Sequence, residues 1–524
     1  MAAVDEPGAA MTVIDTKLVR QPLPDGNHPL GWTVPPIDDL RSAISYLSGF
    51  EGQYRETDHP VDPHAELAGV YRHIGAGGTV MRPTRVGPAM TFNNIRGYPG
   101  MRVHVGMMAS RKRVGFLLGA PERELGRQMG QAVKTAIPPV VVPARDAPCQ
   151  EEVHRADDPD FDLRRLLPAP TNTEEDAGPF FCLGLVLASD PEDPSMSDVT
   201  IHRLCVQGRD EVSIYFVPGR HIDVFRAKAE AAGKPLPVSI NMGLDPAIYI
   251  GSCFEAPTTP LGFNELSIAG GLRGRPVQLV DCLTVPQKAI ARAEIVIEGE
   301  ILPGVRVAED QHTGTGKAMP EFTGYTGEAN PSLPVIRVKA VTTRHKPILQ
   351  TLVGPGEEHV NLAGIPTEAS IYNAVETALP GLIRNVYAHS AGGGKLLAVL
   401  QIEKRGPGDS GKARQAALIA LATYREVKNI VLVDEDVDPF DSDDVLWAMQ
   451  TRFEGDASTI FLPGVAGHVL DPSQTPDYNP AIHRRGIACK TIFDCTVPYA
   501  LKGHFKRSRF MDVDPRPFAP DLFT

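Results

Sequence analysis

The chain has 524 residues, of which 64 are acidic and 52 basic, for a formal net charge of -12. This length predicts about three domains, and the share of hydrophobic and charged residues, 42% and 22%, is that of a globular protein. The negative charge argues against general binding to nucleic acid or to an anionic membrane. No run reaches the roughly 20 apolar residues of a membrane helix, and the first residues are acidic, unlike a secretory signal, so we expect a cytoplasmic protein.

The first part of the chain predicts an arm followed by a mixed region. Residues 1–37 are rich in Pro, Gly and Asp without apolar periodicity, which indicates a loosely held N-terminal arm. Asp38 and Asp39 precede the periodic run LRSAISYLSGF and are expected to cap a helix. Short apolar runs, turn residues and a second helical run, ERELGRQMGQAVKTAI, then predict an α+β region over residues 38–139.

The middle and the end of the chain differ in their periodicity. Residues 140–345 contain short β-branched runs such as CLGLVLASD, DVTIHRLCVQG and LPVSINMG, which predict a β-rich domain interrupted by helices after Pro218 and near Asn264. Within residues 346–490, GKLLAVLQI, KARQAALIALATYREV, NIVLVDEDV and SDDVLWAMQTRF follow the strand and helix order of a doubly wound α/β domain. Residues 491–524 are expected to form a C-terminal tail.

Two glycine-rich segments invite comparison with a phosphate-binding loop. The segments HTGTGK and HSAGGGK occupy residues 312–317 and 389–395. Neither has the opening glycine or the closing Ser or Thr of that motif, and no GxGxxG sequence joins a strand to a helix. The sequence therefore gives no support to a nucleoside triphosphate or dinucleotide site.

Three donor side chains in the β-rich middle could bind a metal ion. Asp198 opens the run DVTIHR, His221 lies just inside the helix after Pro218, and Glu265 begins the helix ELSIAGGL. Two carboxylates and an imidazole suit a divalent cation such as Mn²⁺ or Mg²⁺. By spacing alone, however, these residues are explained as well or better as helix caps and helix-start acids.

Several separated segments of residues 38 to 500 follow one another in a recognisable order. They include MTFNNIRGYPGMRV, DVTIHR, VPGRHIDVF, FNELSIAGGLRG, EFTGYTG, GGGKLLAVLQI and NIVLVDEDVDPFDSDDVLWAMQTRF. Together they resemble one enzyme family, the UbiD family of reversible decarboxylases that use prenylated flavin mononucleotide. The resemblance implies an α+β and α/β multidomain fold. It would comprise a β-rich, split-barrel-like domain that binds prenylated FMN and a doubly wound C-terminal oligomerisation domain.

The resemblance also implies roles for individual residues. Arg203 would bind the substrate carboxylate, Glu309 would orient Arg203, and Glu321 would supply the proton that replaces the carboxyl group. The implied metal ligands are Asp198, His221 and Glu265, and the implied cofactor contacts are Ile201, His202, Arg203, Tyr215, Phe216, Val217, Arg220 and His221.

Two of these assignments depart from the family pattern. Asp198 stands where the family has Asn, which keeps an oxygen ligand but adds a negative charge and should favour a firmly held divalent ion. Glu309 occupies the first acid position only if several residues loop out before Glu321. An ungapped alignment puts Gly316 there instead.

The implied function is reversible, non-oxidative decarboxylation of an aromatic or heteroaromatic acid, with protocatechuate and phenazine-1-carboxylate decarboxylases as the related branch. A cofactor is required because an aryl carbanion in the ring plane is not delocalised by the ring. The resemblance implies prenylated FMN, Mn²⁺ or Mg²⁺, a potassium ion in the same site, a flavin prenyltransferase as cofactor supplier, and a homodimer or larger homo-oligomer. The small-molecule partners would be the aromatic acid and CO₂.

Two alternatives remain open at this point. A non-catalytic, flavin-binding family member acting as an assembly partner would be favoured if Glu309 were misplaced. A metal-dependent hydrolase would need an open metal position, which the cofactor phosphate is expected to fill.

Overall fold

The computed structural model describes residues 31–217, 219–475, 477 and 485–519, so residues 1–30 of the expected arm and the last five residues of the expected tail lie outside it. Short helices and strands alternate in the N-terminal region. They are α1 (Leu40–Ser48), β1 (Tyr54–Thr57), α2 (Glu66–Ile74), β2 (Ala89–Phe92), β3 (Arg102–Val105), α3 (Arg111–Leu118) and α4 (Leu125–Lys134). The Asp39 carboxylate accepts a hydrogen bond from the Ser42 amide at 2.7 Å, so it caps α1 as expected.

The central region contains most of the strands. Its elements are β4 (Val140–Val141), β5 (Glu152–Arg155), α5 (Leu163–Leu166), β6 (Phe180–Ser189), β7 (Ser197–Val206), β8 (Glu211–Ile214), α6 (His221–Ala231), β9 (Leu236–Met242), α7 (Pro246–Gly251), α8 (Leu266–Arg273), β10 (Gln278–Asp281), β11 (Lys288–Ile290), β12 (Ile295–Val307), β13 (Lys317–Pro320), β14 (Thr326–Glu328) and β15 (Leu333–Thr343). Six of these strands close into an antiparallel barrel in the order β12, β9, β6, β7, β8, β15, because β15 also pairs with β12. Apolar side chains from several barrel strands, among them Leu204, Ile240 and Ile336, form one buried core.

After the barrel the chain returns to the N-terminal sheet before it enters the C-terminal region. Strand β16 (Ile348–Thr351) pairs in parallel with β3, and the sheet has the order β1, β2, β3, β16. This strand lies within residues 346–490, which the sequence assigns to the C-terminal domain.

The C-terminal region is a five-stranded sheet with helices. Its elements are α9 (Glu357–Ala378), β17 (Ile383–Ala388), β18 (Leu397–Ile402), α10 (Asp409–Thr423), β19 (Asn429–Asp434), α11 (Ser442–Thr451), α12 (Gly455–Ser458), β20 (Thr459–Ala466) and β21 (Ile487–Cys495). The strand order is β17, β18, β19, β21, β20, in which β18, β19 and β21 are parallel and the edge strands antiparallel. The predicted fold class, a β-rich barrel domain joined to an α/β domain, is confirmed. Residues 491–495, expected in the tail, are the second half of β21.

No helix in the described ranges is long and apolar enough to cross a membrane.

Candidate active site

A cavity of about 420 Å³ lies where the barrel meets the C-terminal region. On the barrel side it is lined by residues of β7, of the segment after β8 and of the segment from α7 to Glu265. On the other side it is lined by His359 of α9 and by Lys395, Glu426 and His468. Its volume falls within the roughly 300–1,000 Å³ of sites that enclose small molecules and cofactors.

A guanidinium with two carboxylates lies at this cavity. Arg203 on β7 donates from Nη1 to Glu321 Oε1 at 2.6 Å and from Nη2 to Glu309 Oε2 at 2.8 Å, and its guanidinium lies 4.4 Å from the centre of the Tyr215 ring. Burial alone would lower the pKa of Arg203, but the charges of both acids outweigh it and raise that pKa. The Nε–H group of Arg203 is buried without a hydrogen-bond partner in the described structure, so it can still donate to a ligand.

The segment between the two acids forms a turn that brings both of them to Arg203. The Asp310 carboxylate accepts hydrogen bonds from the backbone amides of Thr313 and Gly314, each at 3.0 Å, and of Gly316 at 2.8 Å. These donors lower the pKa of Asp310 to about 2 although burial acts in the opposite direction. Gly316, the alternative to Glu309 at the first acid position, is exposed and has a φ of +69°.

Glu309 itself is held from two sides. Its backbone amide donates to Asn330 O at 2.8 Å, and its carboxylate accepts from the Asn330 amide at 2.9 Å. Burial raises the pKa of Glu309, whereas Arg203 lowers it, and the net direction is upward. Glu309 contacts Arg203 but does not line the cavity. Glu321 contacts Arg203 and also lines the cavity.

The three expected metal ligands also come together. One donor atom from each of Asp198, His221 and Glu265 lies within 4.8 Å of the others, and His221 Nδ1 is 3.1 Å from Asp198 Oδ2. Glu265 Oε2 is buried without a hydrogen-bond partner in the described structure. Burial, followed by the charge of Asp198, raises the pKa of Glu265 well above its usual range. Two buried carboxylates with an imidazole and a free oxygen suit a hard divalent ion.

The residues expected at the cofactor differ in their positions. Those that line the cavity are Ile201, His202, Arg203, Tyr215, Val217, Arg220 and His221. Phe216 does not line it, and its ring packs edge-on against His202 at 4.9 Å. His202 donates from Nδ1 to Tyr215 O at 3.0 Å, and its Nε2 is buried without a partner in the described structure. Burial lowers the pKa of His202 to about 4, so its imidazole is neutral at pH 7.

The cavity has a second wall whose polar residues the sequence did not single out. These residues are Glu255, His359, Lys395, Glu426 and His468. Lys395 lies in HSAGGGK and also in the family-like segment GGGKLLAVLQI, and His468 directly precedes Val469, but the sequence assigned neither residue a role in the site. His359 donates from Nδ1 to Gly354 O at 2.6 Å, which leaves its Nε2 as an acceptor. Burial lowers the pKa of both His359 and His468, the latter to about 4.

The composition of the cavity fits a flavin phosphate with a cation. Asp198, His221 and Glu265 would hold the divalent ion, and Arg220 would compensate the remaining phosphate charge. The unpartnered Glu265 Oε2 and His202 Nε2 are polar atoms that burial leaves unsatisfied until a ligand reaches them.

Comparison with known proteins gives a consistent result over nearly the whole chain. Residues 49–133, 140–357 and 360–495 match the N-terminal, Rift-related and C-terminal domains of 3-octaprenyl-4-hydroxybenzoate carboxy-lyase. The chain is 52% identical to a gallate decarboxylase of Lactiplantibacillus plantarum over 477 residues, which are 91% of this chain and 97% of that protein.

Solved structures show the same relationship. The apo structure of a 3,4-dihydroxybenzoic acid decarboxylase from Enterobacter cloacae is 72% identical, with a TM-score of 0.90 over 93% of this chain and all of that one. The UbiD-class enzyme HmfF from Pelotomaculum thermopropionicum, in complex with FMN, is 32% identical, with a TM-score of 0.81 over 92% of this chain and all of that one. An evolved dimeric form of HmfF in complex with prFMN is 30% identical, with a TM-score of 0.77 over 90% of this chain and 97% of that one.

The fold and the cavity thus define a multidomain carboxy-lyase of the flavin-binding kind. The chain belongs to the UbiD family.

Proposed function

We propose that this protein catalyses the reversible, non-oxidative decarboxylation of a hydroxylated aromatic acid with prenylated FMN as cofactor. The observation that carries the proposal is the Arg203 guanidinium at the cavity with Glu321 at 2.6 Å and Glu309 at 2.8 Å. The relatives support the substrate class, because they include a gallate decarboxylase and a 3,4-dihydroxybenzoic acid decarboxylase.

In this proposal Arg203 binds the substrate carboxylate and Glu321 transfers the proton. The guanidinium binds the substrate carboxylate through a charge-assisted hydrogen bond, for which its Nε–H is available, and so orients the bond to be broken. Glu321 starts as the carboxylate that pairs with Arg203, takes up a proton from water, and passes it to the ring carbon that CO₂ leaves. A Cβ atom at Gly327 would lie 3.1 Å from Glu321 Cγ and 3.4 Å from Arg203 Nη1, so the backbone closes tightly over this pair.

The substrate hydroxyl groups have candidate partners on the opposite wall. His359 and His468 line the cavity as neutral imidazoles, and the Phe322 ring packs edge-on against both, at 5.9 and 4.7 Å. His359 Nε2 can accept a hydrogen bond from a phenol, whereas His468 Nδ1 already accepts one from the Leu470 amide at 3.1 Å and its Nε2 is left as a donor. A ring without a hydroxyl group would leave His359 Nε2 unpaired. We therefore expect hydroxybenzoic acids to be preferred over benzoic acid.

The cofactor site is part of the same proposal. Asp198, His221 and Glu265 would hold Mn²⁺ or Mg²⁺, with a potassium ion nearby, and Arg220 would balance the flavin phosphate. When bound, prenylated FMN supplies the electron sink that no side chain provides. A flavin prenyltransferase would have to supply the prenylated FMN. The similar structures include an evolved dimeric form of HmfF, which supports self-association of this chain.

A substrate screen of the loaded enzyme tests the proposal. Protein co-produced with a flavin prenyltransferase is incubated with gallate, 3,4-dihydroxybenzoate, phenazine-1-carboxylate and benzoate, and CO₂ release is measured. We expect release from the hydroxylated acids and none from protein made without the prenyltransferase. Release from none of the acids by protein that contains prenylated FMN would contradict the proposal.

The alternative of a non-catalytic assembly partner is not favoured. It drew its support from a misplaced Glu309, and Glu309 contacts Arg203 directly.

A further inference from the structure

A second cavity, of about 240 Å³, is lined by residues of α7, α8, β10 and β11 and by the residues next to them. Its lining combines charged side chains and Gln278 with apolar residues. The charged side chains are Asp38, Asp245, Arg273, Arg275 and Arg292, and the apolar residues are Ile248, Ala269, Pro276, Val277 and Ile290. None of these residues lines the cavity that contains Arg203, so the two cavities have separate walls.

One of the three arginines is already satisfied by the protein. Arg273 donates from Nε to Asp245 Oδ2 at 2.8 Å, from Nη2 to Asp245 Oδ1 at 2.5 Å and from Nη1 to Leu117 O at 2.8 Å. Asp245 also caps α7, because its carboxylate accepts a hydrogen bond from the Ala247 amide at 2.8 Å. This buried pair joins the start of α7 to the end of α8 and gives the cavity a fixed wall without net charge.

The other two arginines keep free donor groups. Arg275 donates one hydrogen bond, from Nη2 to a backbone carbonyl at 2.8 Å, and its Nε and Nη1 groups have no partner in the described part of the chain. Arg292 Nη1 contacts Asp38 Oδ2 at 3.5 Å and Asp39 Oδ2 at 3.9 Å, which are long distances for ion pairs. Asp39 is already paired with Arg344 at 2.8 Å. Arg275 and Arg292 can therefore both donate to a carboxylate.

The cavity is positively charged although the protein is acidic. Its three arginines outnumber its two aspartates, whereas the formal net charge of the whole chain is -12. A local excess of one charge in a partly enclosed site attracts ions of the opposite sign. The apolar residues of the lining favour a ligand that also has an apolar part. The volume is below the roughly 300–1,000 Å³ of sites for larger ligands, so the ligand must be small.

We propose that this second cavity binds a small carboxylic acid whose apolar body is no larger than a single ring. The carboxylate accepts hydrogen bonds from Arg275 and Arg292, and the apolar body packs against Ile248 and Ile290. Binding at this site involves neither flavin nor metal, so it does not rest on the proposed function.

Binding of 4-fluorobenzoate to the full chain without cofactor tests the site. The measurement uses an Arg203→Gln background, because Arg203 in the other cavity can also bind a carboxylate, and the ¹⁹F line width of the probe reports binding. In this background Arg275→Gln and Arg292→Gln should each weaken binding about tenfold, as for loss of a charged hydrogen bond. The proposal is overturned if the background itself no longer binds the probe, or if the affinity survives either further substitution.

Arg337→Gln is the matched control. The Arg337 side chain is 40% exposed, against 39% for Arg292, and it also contacts two carboxylates, Glu211 at 2.6 Å and Asp210 at 3.5 Å. It lines neither cavity, so this substitution should leave the affinity of the background unchanged. An equal loss in the control would mean that the probe is attracted to surface arginines in general, and would overturn the site.

Competition with three compounds tests the chemical class of the ligand. Benzoate should displace 4-fluorobenzoate from the Arg203→Gln background. Benzamide has the same ring without the charge, and inorganic phosphate has charge without the ring, so neither should displace the probe at the same concentration. Displacement by phosphate would indicate a general anion site and displacement by benzamide a purely apolar one, and either result would overturn the assignment to a carboxylic acid.

Discussion

The two ends of the cavity differ in how far the protein alone satisfies their charges. At the acid end, Arg203 lies between two carboxylates, and its hydrogen bonds to them are 2.6 and 2.8 Å long. At the proposed metal end, one donor atom from each of Asp198, His221 and Glu265 lies within 4.8 Å of the others, and Glu265 Oε2 has no partner in the described structure. The acid end is therefore organised before any ligand binds, whereas the proposed metal end keeps a buried carboxylate oxygen that a cation could bind.

The largest expected effect belongs to the acid end. Glu321→Gln removes the carboxylate that we propose to relay the proton but keeps the size of the side chain, so kcat should fall by about 10³-fold, within the range of general acid catalysis. Flavin content should stay at the wild-type level because no metal ligand is altered. Single-turnover CO₂ release and the absorption spectrum of the purified enzyme measure the two quantities.

The control for this variant is Glu328→Gln, an exposed carboxylate on β14 that pairs with Arg485 at 3.2 Å. It should behave as wild type. Undiminished turnover by Glu321→Gln would contradict its proposed role in proton transfer. Loss of flavin from this variant would contradict the expectation that the acid end does not hold the cofactor.

A substitution at the proposed metal end should instead cause loss of the metal ion and of the flavin. Glu265→Gln replaces a charged ligand by a neutral one, and loss of affinity for Mn²⁺ by about 10- to 100-fold is expected, with loss of flavin alongside it. Metal analysis and flavin absorbance after gel filtration measure both, and a chelator applied to wild type should reproduce the result. Asp198→Asn retains an oxygen ligand and restores the family residue, so its loss should be smaller.

Flavin that stays bound at full occupancy after the metal has been removed would contradict this account. The cofactor would then be held by Arg220 and the barrel without the cation.

The position of each site residue in the chain explains which of them could be predicted from the sequence. Asp198 and Arg203 could be assigned roles because they stand together in DVTIHR, one of the short segments that resemble the UbiD family. Lys395, Glu426 and His468 were missed because they come from three separate loops of the C-terminal region, which line the cavity only when that region packs against the barrel. The rejected phosphate-loop segment already contained Lys395, but nothing in its spacing indicates a partner in the barrel.

Some elements of the fold could likewise be predicted from the sequence, and others could not. Helix α10 and strands β18 and β19 were recognisable by their length and order, and they are present where expected. Helix α9 was not predicted, although it is 22 residues long, because it is buried on most sides and contains Pro366. Such a helix lacks the 3.6-residue alternation of apolar and polar residues that marks a surface helix.

The smallest expected effect concerns the turn that supports Glu309. Asp310→Asn keeps an oxygen acceptor but removes the charge that three backbone amides stabilise, so a few-fold loss of kcat/KM is expected while flavin content is unchanged. Because the pKa of Asp310 in the folded protein, about 2, lies below its usual 3.8, its stabilising effect is full above pH 4 and is lost as the pH falls toward 2. The difference in thermal midpoint between wild type and variant should therefore be constant from pH 7 to 5 and shrink below pH 4. A difference that disappears already near neutral pH would mean that another group, and not the Asp310 carboxylate, holds the turn at the acid end.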